Sequence, residues 1–156
     1  MAAKNILTIG EELLRKKSHP VTKFDQKLQH IVDDLCETLK YYEGAGLAEP
    51  QIGIMRRIFV VDTGEKIMEF INPEIIQAEQ DQKGPEGCLS IPGKQGMVVR
   101  PYFVTVKAQD KFGNMFEMSG EGNVARAFCH ENDHLDGKLY IDIATEINDI
   151  DHDSGE

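Results

Sequence analysis

His130-Glu131-Asn132-Asp133-His134 has the order His-Glu-x-x-His. Residues four apart on a helix are rotated by only about 40°, so both imidazoles leave from one face. Two nitrogens so placed suit a divalent metal, and the glutamate between them suits a general base taking a proton from water on that metal. The plainer alternative is a pair of solvated histidines on a charged helix. Apolar Val124, Ala127, Phe128 and Leu135 around the motif favour a packed helix instead. A catalytic centre of this kind takes a third protein ligand and keeps a position open for water. Cys88, in Glu86-Gly87-Cys88-Leu89-Ser90, is the strongest candidate, because a metal would hold its thiolate deprotonated. The alternative for Cys88 is a buried structural thiol. Cys129 adjoins His130 and so points about 100° away around the helix, which suits packing or pocket lining.

A further island reads Gly44-Ala45-Gly46-Leu47-Ala48-Glu49-Pro50-Gln51. It is no phosphate cradle, since it lacks a following helix and a Lys-Ser/Thr pair. A glycine-rich turn that presents backbone groups to an extended ligand fits better, with Gln51 able to donate an amide hydrogen bond to an oxyanion.

These islands need elements to carry them. Glu11 to Lys17 reads as a short helix that stops before His19-Pro20. Thr22 and Asp25 have capping-box spacing. Leu28, Ile31, Val32, Leu35, Cys36 and Leu39 then form one apolar stripe on a helix of about four turns, with Cys36 inside the core and His30 off the stripe and exposed. Short β-rich runs follow at Arg57 to Asp62 and at Met68 to Asn72, the latter ending at Pro73, with Ile75 to Glu79 as a continuation. Met97 to Arg100, Tyr102 to Gln109 and Met115 to Met118 are further strands, the last two joined by a turn at Asp110 to Asn114. A helix is expected from Glu121 to about Gly137, with that glycine as its stop. The order helix, antiparallel strands, helix predicts an α+β domain, its antiparallel sheets packed around the central His-Glu-x-x-His helix.

The chain has 156 residues, 27 acidic and 17 basic, for a net charge of −10. That length suits one domain, placed at residues 1–147. Six of the acids fall between Ile141 and Glu156, so residues 148–156 read as an acidic, flexible tail. The charge argues against DNA as a partner, and no apolar run reaches the ~20 residues needed to span a bilayer. Three cysteines without a signal-peptide pattern point to a reducing compartment, hence a cytoplasmic protein.

Taken together, the three islands resemble peptide deformylase. That family carries GxGLAAPQ, EGCLS and HExDHLxG in this order, and here they read GAGLAEPQ, EGCLS and HENDHLDG. The resemblance runs from Ile6 to about Asp142, taking in Leu14-Arg15, Ile71-Asn72-Pro73 and Ala125-Arg126. It implies a hydrolase that removes the formyl group from the N-formylmethionine of nascent polypeptides. It implies one divalent metal per chain held by Cys88, His130 and His134, with Fe²⁺ preferred and Zn²⁺, Ni²⁺ or Co²⁺ able to replace it. Glu131 would be the general base and acid. The Leu89 backbone N–H and the Gln51 side chain would hold the oxyanion, and the Gly46 carbonyl would accept from the formamide. Gly44, Ala45, Gly46, Glu86 and Gly87 would contact an N-formylmethionyl peptide, and transient association with ribosomes is compatible with the role.

Glu49 departs from the family, standing where a small alanine is usual; pointing inward, it must be paired or protonated. Cys129 replaces a glutamine, and the basic C-terminal helix of many members is absent. Glu49 and the missing helix leave a catalytically weakened, deformylase-like binding protein as one alternative. A zinc metalloprotease is another; its third ligand would lie downstream, at Glu146 or His152.

Overall fold

The computed structural model describes residues 3–150 of the chain. Helix α1 (Gln26–Tyr42) begins at Asp25, whose side chain accepts from the Leu28 backbone N–H at 3.0 Å. Asp25 alone is thus the cap, where capping-box spacing pointed to Thr22. The apolar stripe turns Leu28, Val32, Leu35 and Leu39 into the core, while Cys36 is only half-buried and His30 is exposed. The segment expected to be the first helix is a single 3-10 turn, Glu12–Arg15.

Six strands share one hydrogen-bonded sheet, so the expected sheets are one: β1 (Gly46–Ala48), β2 (Ile58–Asp62), β3 (Ile67–Cys88), β4 (Ile91–Gln109), β5 (Met115–Glu121) and β6 (Thr145–Asp149). The first five pair in sequence order, all antiparallel, and β6 pairs with β4. Residues alternate across a strand, and β2 uses both faces. Ile58 and Val60 pack with α1, while Phe59 and Val61 pack with Phe70, Val104, Val106 and Phe128 on the other side. That second face receives α2 (Asn123–Leu135), which carries the His-Glu-x-x-His motif and is buried through most of its length.

Two strands are longer than their sequence suggests. Pro73 lacks an N–H and was expected to end a strand, yet β3 continues through it because the ladder shifts register between Ile71 and Glu74. Asn72 takes the positive φ of 51° there, and its side chain bonds both the N–H and the carbonyl of Val21. β4 likewise runs through Pro101, and together β3 and β4 form a long ribbon whose tip is the Cys88↔Ile91 pair. The helix expected from Glu121 starts two residues later, because Glu121 still pairs with Phe103 on β4. Gly137 follows α2 at φ 75°, and a Cβ there would lie 2.5 Å from the Arg15 carbonyl oxygen, so glycine is required by conformation and by space.

The chain does not leave the fold at residue 148, where the tail was expected to begin. β6 includes Asn148 and Asp149, and the Ile150 N–H donates to the Gly93 carbonyl at 2.8 Å. Residues 151–156, including His152, lie outside the described residues. Among the described residues no helix is long and apolar enough to cross a membrane.

Candidate active site

The tip of the β3–β4 ribbon sets Cys88 against α2. Its Sγ lies 3.4 Å from His134 Nε2, and the ligating atoms of Cys88, His130 and His134 all fall within 4.8 Å of one another. Cys129, buried on the neighbouring side of the helix, joins the apolar cluster with Phe70 and Phe128. A soft thiolate with two imidazoles on a rigid helix and a hairpin tip is a donor set suited to a divalent transition metal.

Behind His130 stands a network of charge. Its Nδ1 lies 2.8 Å from Glu86 Oε1, which leaves Nε2 free for the metal side. Glu86 also accepts from Arg100 Nε at 2.8 Å and Nη2 at 3.0 Å, and from Arg126 Nη1 at 2.9 Å. Arg100 reaches on to Asp133 within the motif, at 2.8 Å. Burial pushes the Glu86 carboxyl up, but the hydrogen bonds and charges of His130 and Arg100 outweigh it and bring it down to about 2. Glu86 therefore has its oxygens engaged by protein and orients His130, while it also lines the cleft beside Cys88. The same cluster explains Gly84, where a Cβ would sit 2.9 Å from Arg126 Nη2.

Glu131 lies in the first turn after His130, its Oε2 4.0 Å from His130 Nε2 and its Oε1 buried with no hydrogen-bond partner. Burial is the main cause that raises its pKa to about 7, against the opposing pull of His130. Such a group exchanges a proton near neutral pH. Strand β1 passes directly over it: a Cβ on Gly46 would meet Glu131 Oε2 at 2.8 Å and Cγ at 2.9 Å. The glycine island is thus the edge strand of the sheet, followed by a 3-10 turn, Glu49–Ile52, that aims Gln51. Gln51 Oε1 accepts from the Ala48 N–H at 3.0 Å. Its Nε2 donates to Ser90 Oγ at 3.0 Å and lies 3.7 Å from Cys88 Sγ. Its amide nitrogen therefore faces the thiol.

An N-terminal strap ties these loops together, since Leu7 N–H donates to the Gln51 carbonyl and Ile9 N–H to the Ser90 carbonyl. The result is a cleft of about 440 Å³ lined by Gly44, Ala45, Gly46, Glu86, Gly87 and Leu89 as well as by Gln51, Cys88, His130 and Glu131. Glu146, one downstream ligand a metalloprotease would need, is exposed on β6 and pairs with Lys83 instead.

Glu49 points inward, fully buried, and neither carboxylate oxygen has a hydrogen-bond partner. Burial, and then the charge of Asp34, holds its pKa well above the usual carboxylate range. Of the two conditions set by the sequence, pairing fails and protonation remains. The Arg100–Glu86–Arg126 cluster, by contrast, was not foreseen. Its signal was a glutamate two residues before a candidate ligand and an arginine four before the first histidine.

A thiol and two imidazoles on an α+β frame, with a buried glutamate at their side, define the chain by class as a metal-dependent hydrolase. The family model for polypeptide deformylase matches residues 3–149, and the chain belongs to that family. The peptide deformylase of Caldicellulosiruptor bescii is 51% identical over 142 residues, covering 91% of this chain and 86% of that one. The crystal structure of peptide deformylase from Thermotoga maritima has a TM-score of 0.89 at 41% identity, covering 92% of this chain and 98% of that one. A peptide deformylase from Legionella pneumophila has the same TM-score and identity, covering 92% and 87%.

Two variants probe this electrostatic frame. Glu86→Gln should weaken metal binding by about 10–100-fold, measured by chelator competition. It should also lower stability by about 3–5 kcal/mol in urea melts, because it leaves buried guanidinium charge uncompensated. Glu49→Gln should stabilise the fold in a pH-dependent way. A carboxyl whose folded pKa is raised costs nothing below its unfolded value near 4.5. Above that pH the unfolded state gains by ionising, so wild-type stability falls until the folded pKa is passed. The gap between Glu49→Gln and wild type should therefore widen from pH 5 to pH 8; a gap independent of pH would show that Glu49 is not held protonated.

Proposed function

We propose that this chain removes the formyl group from the N-terminal N-formylmethionine of nascent polypeptides, releasing formate. It does so with one divalent metal held by Cys88, His130 and His134, Fe²⁺ in the cell, with Zn²⁺, Ni²⁺ or Co²⁺ able to serve. The observation that carries this reading is the meeting of the three ligating atoms within 4.8 Å, with Glu131 beside them and the Gly46 edge strand across it. The bound metal supplies Lewis acidity, polarising the formyl oxygen and making water easier to deprotonate.

The chain's own groups do the rest. An edge strand offers free backbone groups, so a peptide in extended form lies along Gly44–Gly46. The Gly46 carbonyl accepts the formamide N–H and fixes the scissile bond over Glu131. Glu131 takes a proton from water as the oxygen adds to the formyl carbon. The developing oxyanion receives hydrogen bonds from the Gln51 amide, already aimed by Ala48 and Ser90, and from the Leu89 backbone N–H on the hairpin turn. The C–N bond then breaks, and Glu131 returns its proton to the leaving amine, so a poor leaving group departs neutral. Glu86 keeps His130 in the tautomer that turns Nε2 to the metal.

Its setting is the cytoplasm, where free thiols such as Cys88 stay reduced and formylated chains emerge; contact with ribosomes is transient. Residues 1–147 carry the catalytic unit, together with the end of β6.

An anaerobic sample loaded with Fe²⁺ should release formate from a short formyl-Met peptide, and none released would sink this reading. Glu131→Gln should keep its metal, counted by elemental analysis, and lose about 10²–10⁴-fold in turnover. Substantial residual turnover would mean that another group moves the proton.

A further inference from the structure

The motif residues do not close the cleft by themselves. Its outer rim is formed by Pro92, Gly93 and Lys94 on β4 and by Ile150, one residue past β6. The C-terminal strand is locked to this rim by the pairs Lys94↔Asp149 and Gln95↔Asn148 and by the Ile150 N–H to the Gly93 carbonyl. Gly96 allows the close fit: a Cβ there would come 2.9 Å from Ala144 Cβ and 3.1 Å from Ile147 Cγ1. Lys94 Nζ is tied to Asp149 Oδ1 at 2.7 Å, so the rim's one cation is already paired. Ile150, however, remains 40% exposed and lines the same cleft as Cys88 and Glu131.

We propose that Ile150 is a specificity-determining residue: it contacts the peptide residues that follow the formylated methionine and favours apolar side chains there. The proposal rests on the deformylase reading above. A peptide laid along Gly44–Gly46 leaves the reacting centre between that edge and the β4 rim, and its next side chains meet Ile150 and Pro92. Covering exposed apolar surface on both partners is favourable, whereas a polar side chain gains nothing from a paired lysine and an isoleucine.

The test compares formate release from formyl-Met-Leu-Leu and formyl-Met-Ser-Ser by the Fe²⁺-loaded full chain. The ratio of kcat/KM, leucine peptide over serine peptide, should fall about fivefold in Ile150→Ser, mostly through KM, for the loss of part of one aliphatic contact. Ile150→Asp should shift preference toward formyl-Met-Lys-Lys relative to formyl-Met-Leu-Leu. That gain of a new preference cannot come from misfolding. Active variants with unchanged ratios would overturn this inference alone. A wild-type enzyme that released no formate from any of these peptides would overturn the function reading, and this inference with it.

Discussion

Both oxygens of Glu86 are engaged by protein: Oε1 faces His130 and Arg100, and Oε2 faces Arg100 and Arg126. A charge this deeply buried is tolerable only when paired and fully hydrogen-bonded. The pairing dictates much of the surrounding structure. Arg100 comes from β4, Arg126 and His130 from α2, and Glu86 from the end of β3. The helix cannot slide along the sheet without breaking a charged contact, so the angle of the His130 ring follows from the placement of Glu86. Asp133 extends the same constraint to the far side of the motif through Arg100.

Close backbone approach supplies the second constraint. Gly46 lets β1 lie on Glu131, and Gly84 gives Arg126 its room. The strap from Leu7 to Ile9 then clips the Gln51 turn to the Ser90 turn. Three chain segments distant in sequence thereby hold a thiol, an amide and a carboxylate at fixed separations with no disulfide among the described cysteines. Glu49 is the counterweight, an acid lodged without a partner one turn from Gln51. The fold accepts it in neutral form, at a cost that grows with pH.

Local pattern was enough for what depends on local pattern. The α1 stripe, the stop at Gly137 and the burial of Cys129 follow from periodicity and glycine geometry, and the structure has all three. The meeting of Cys88, His130 and His134 was legible because a pair of residues four apart on a helix fixes its own geometry, and because the chain resembles a known family. What escaped needed partners far along the chain. Pro73 stays in a strand only because a register shift and the Asn72 contacts to Val21 absorb it. Arg100 looked like the end of a strand because its partner Glu86 is 14 residues away. The acidic composition suggested a tail from residue 148, whereas β6 runs to Asp149 and packs where Gly96 leaves room on β4.

The hairpin tip has one further consequence. Cys88 and His134 are separated by 46 residues, and nothing local brings them together. During synthesis Cys88 precedes both histidines that it meets in the fold, and the contact must wait for them. Contacts of such sequence separation form late, since chain closure must be paid before they reward it. The Cys88–His134 contact therefore waits on docking of α2 against the ribbon, and a chain that ended before His134 would lack one of the three side chains that meet there.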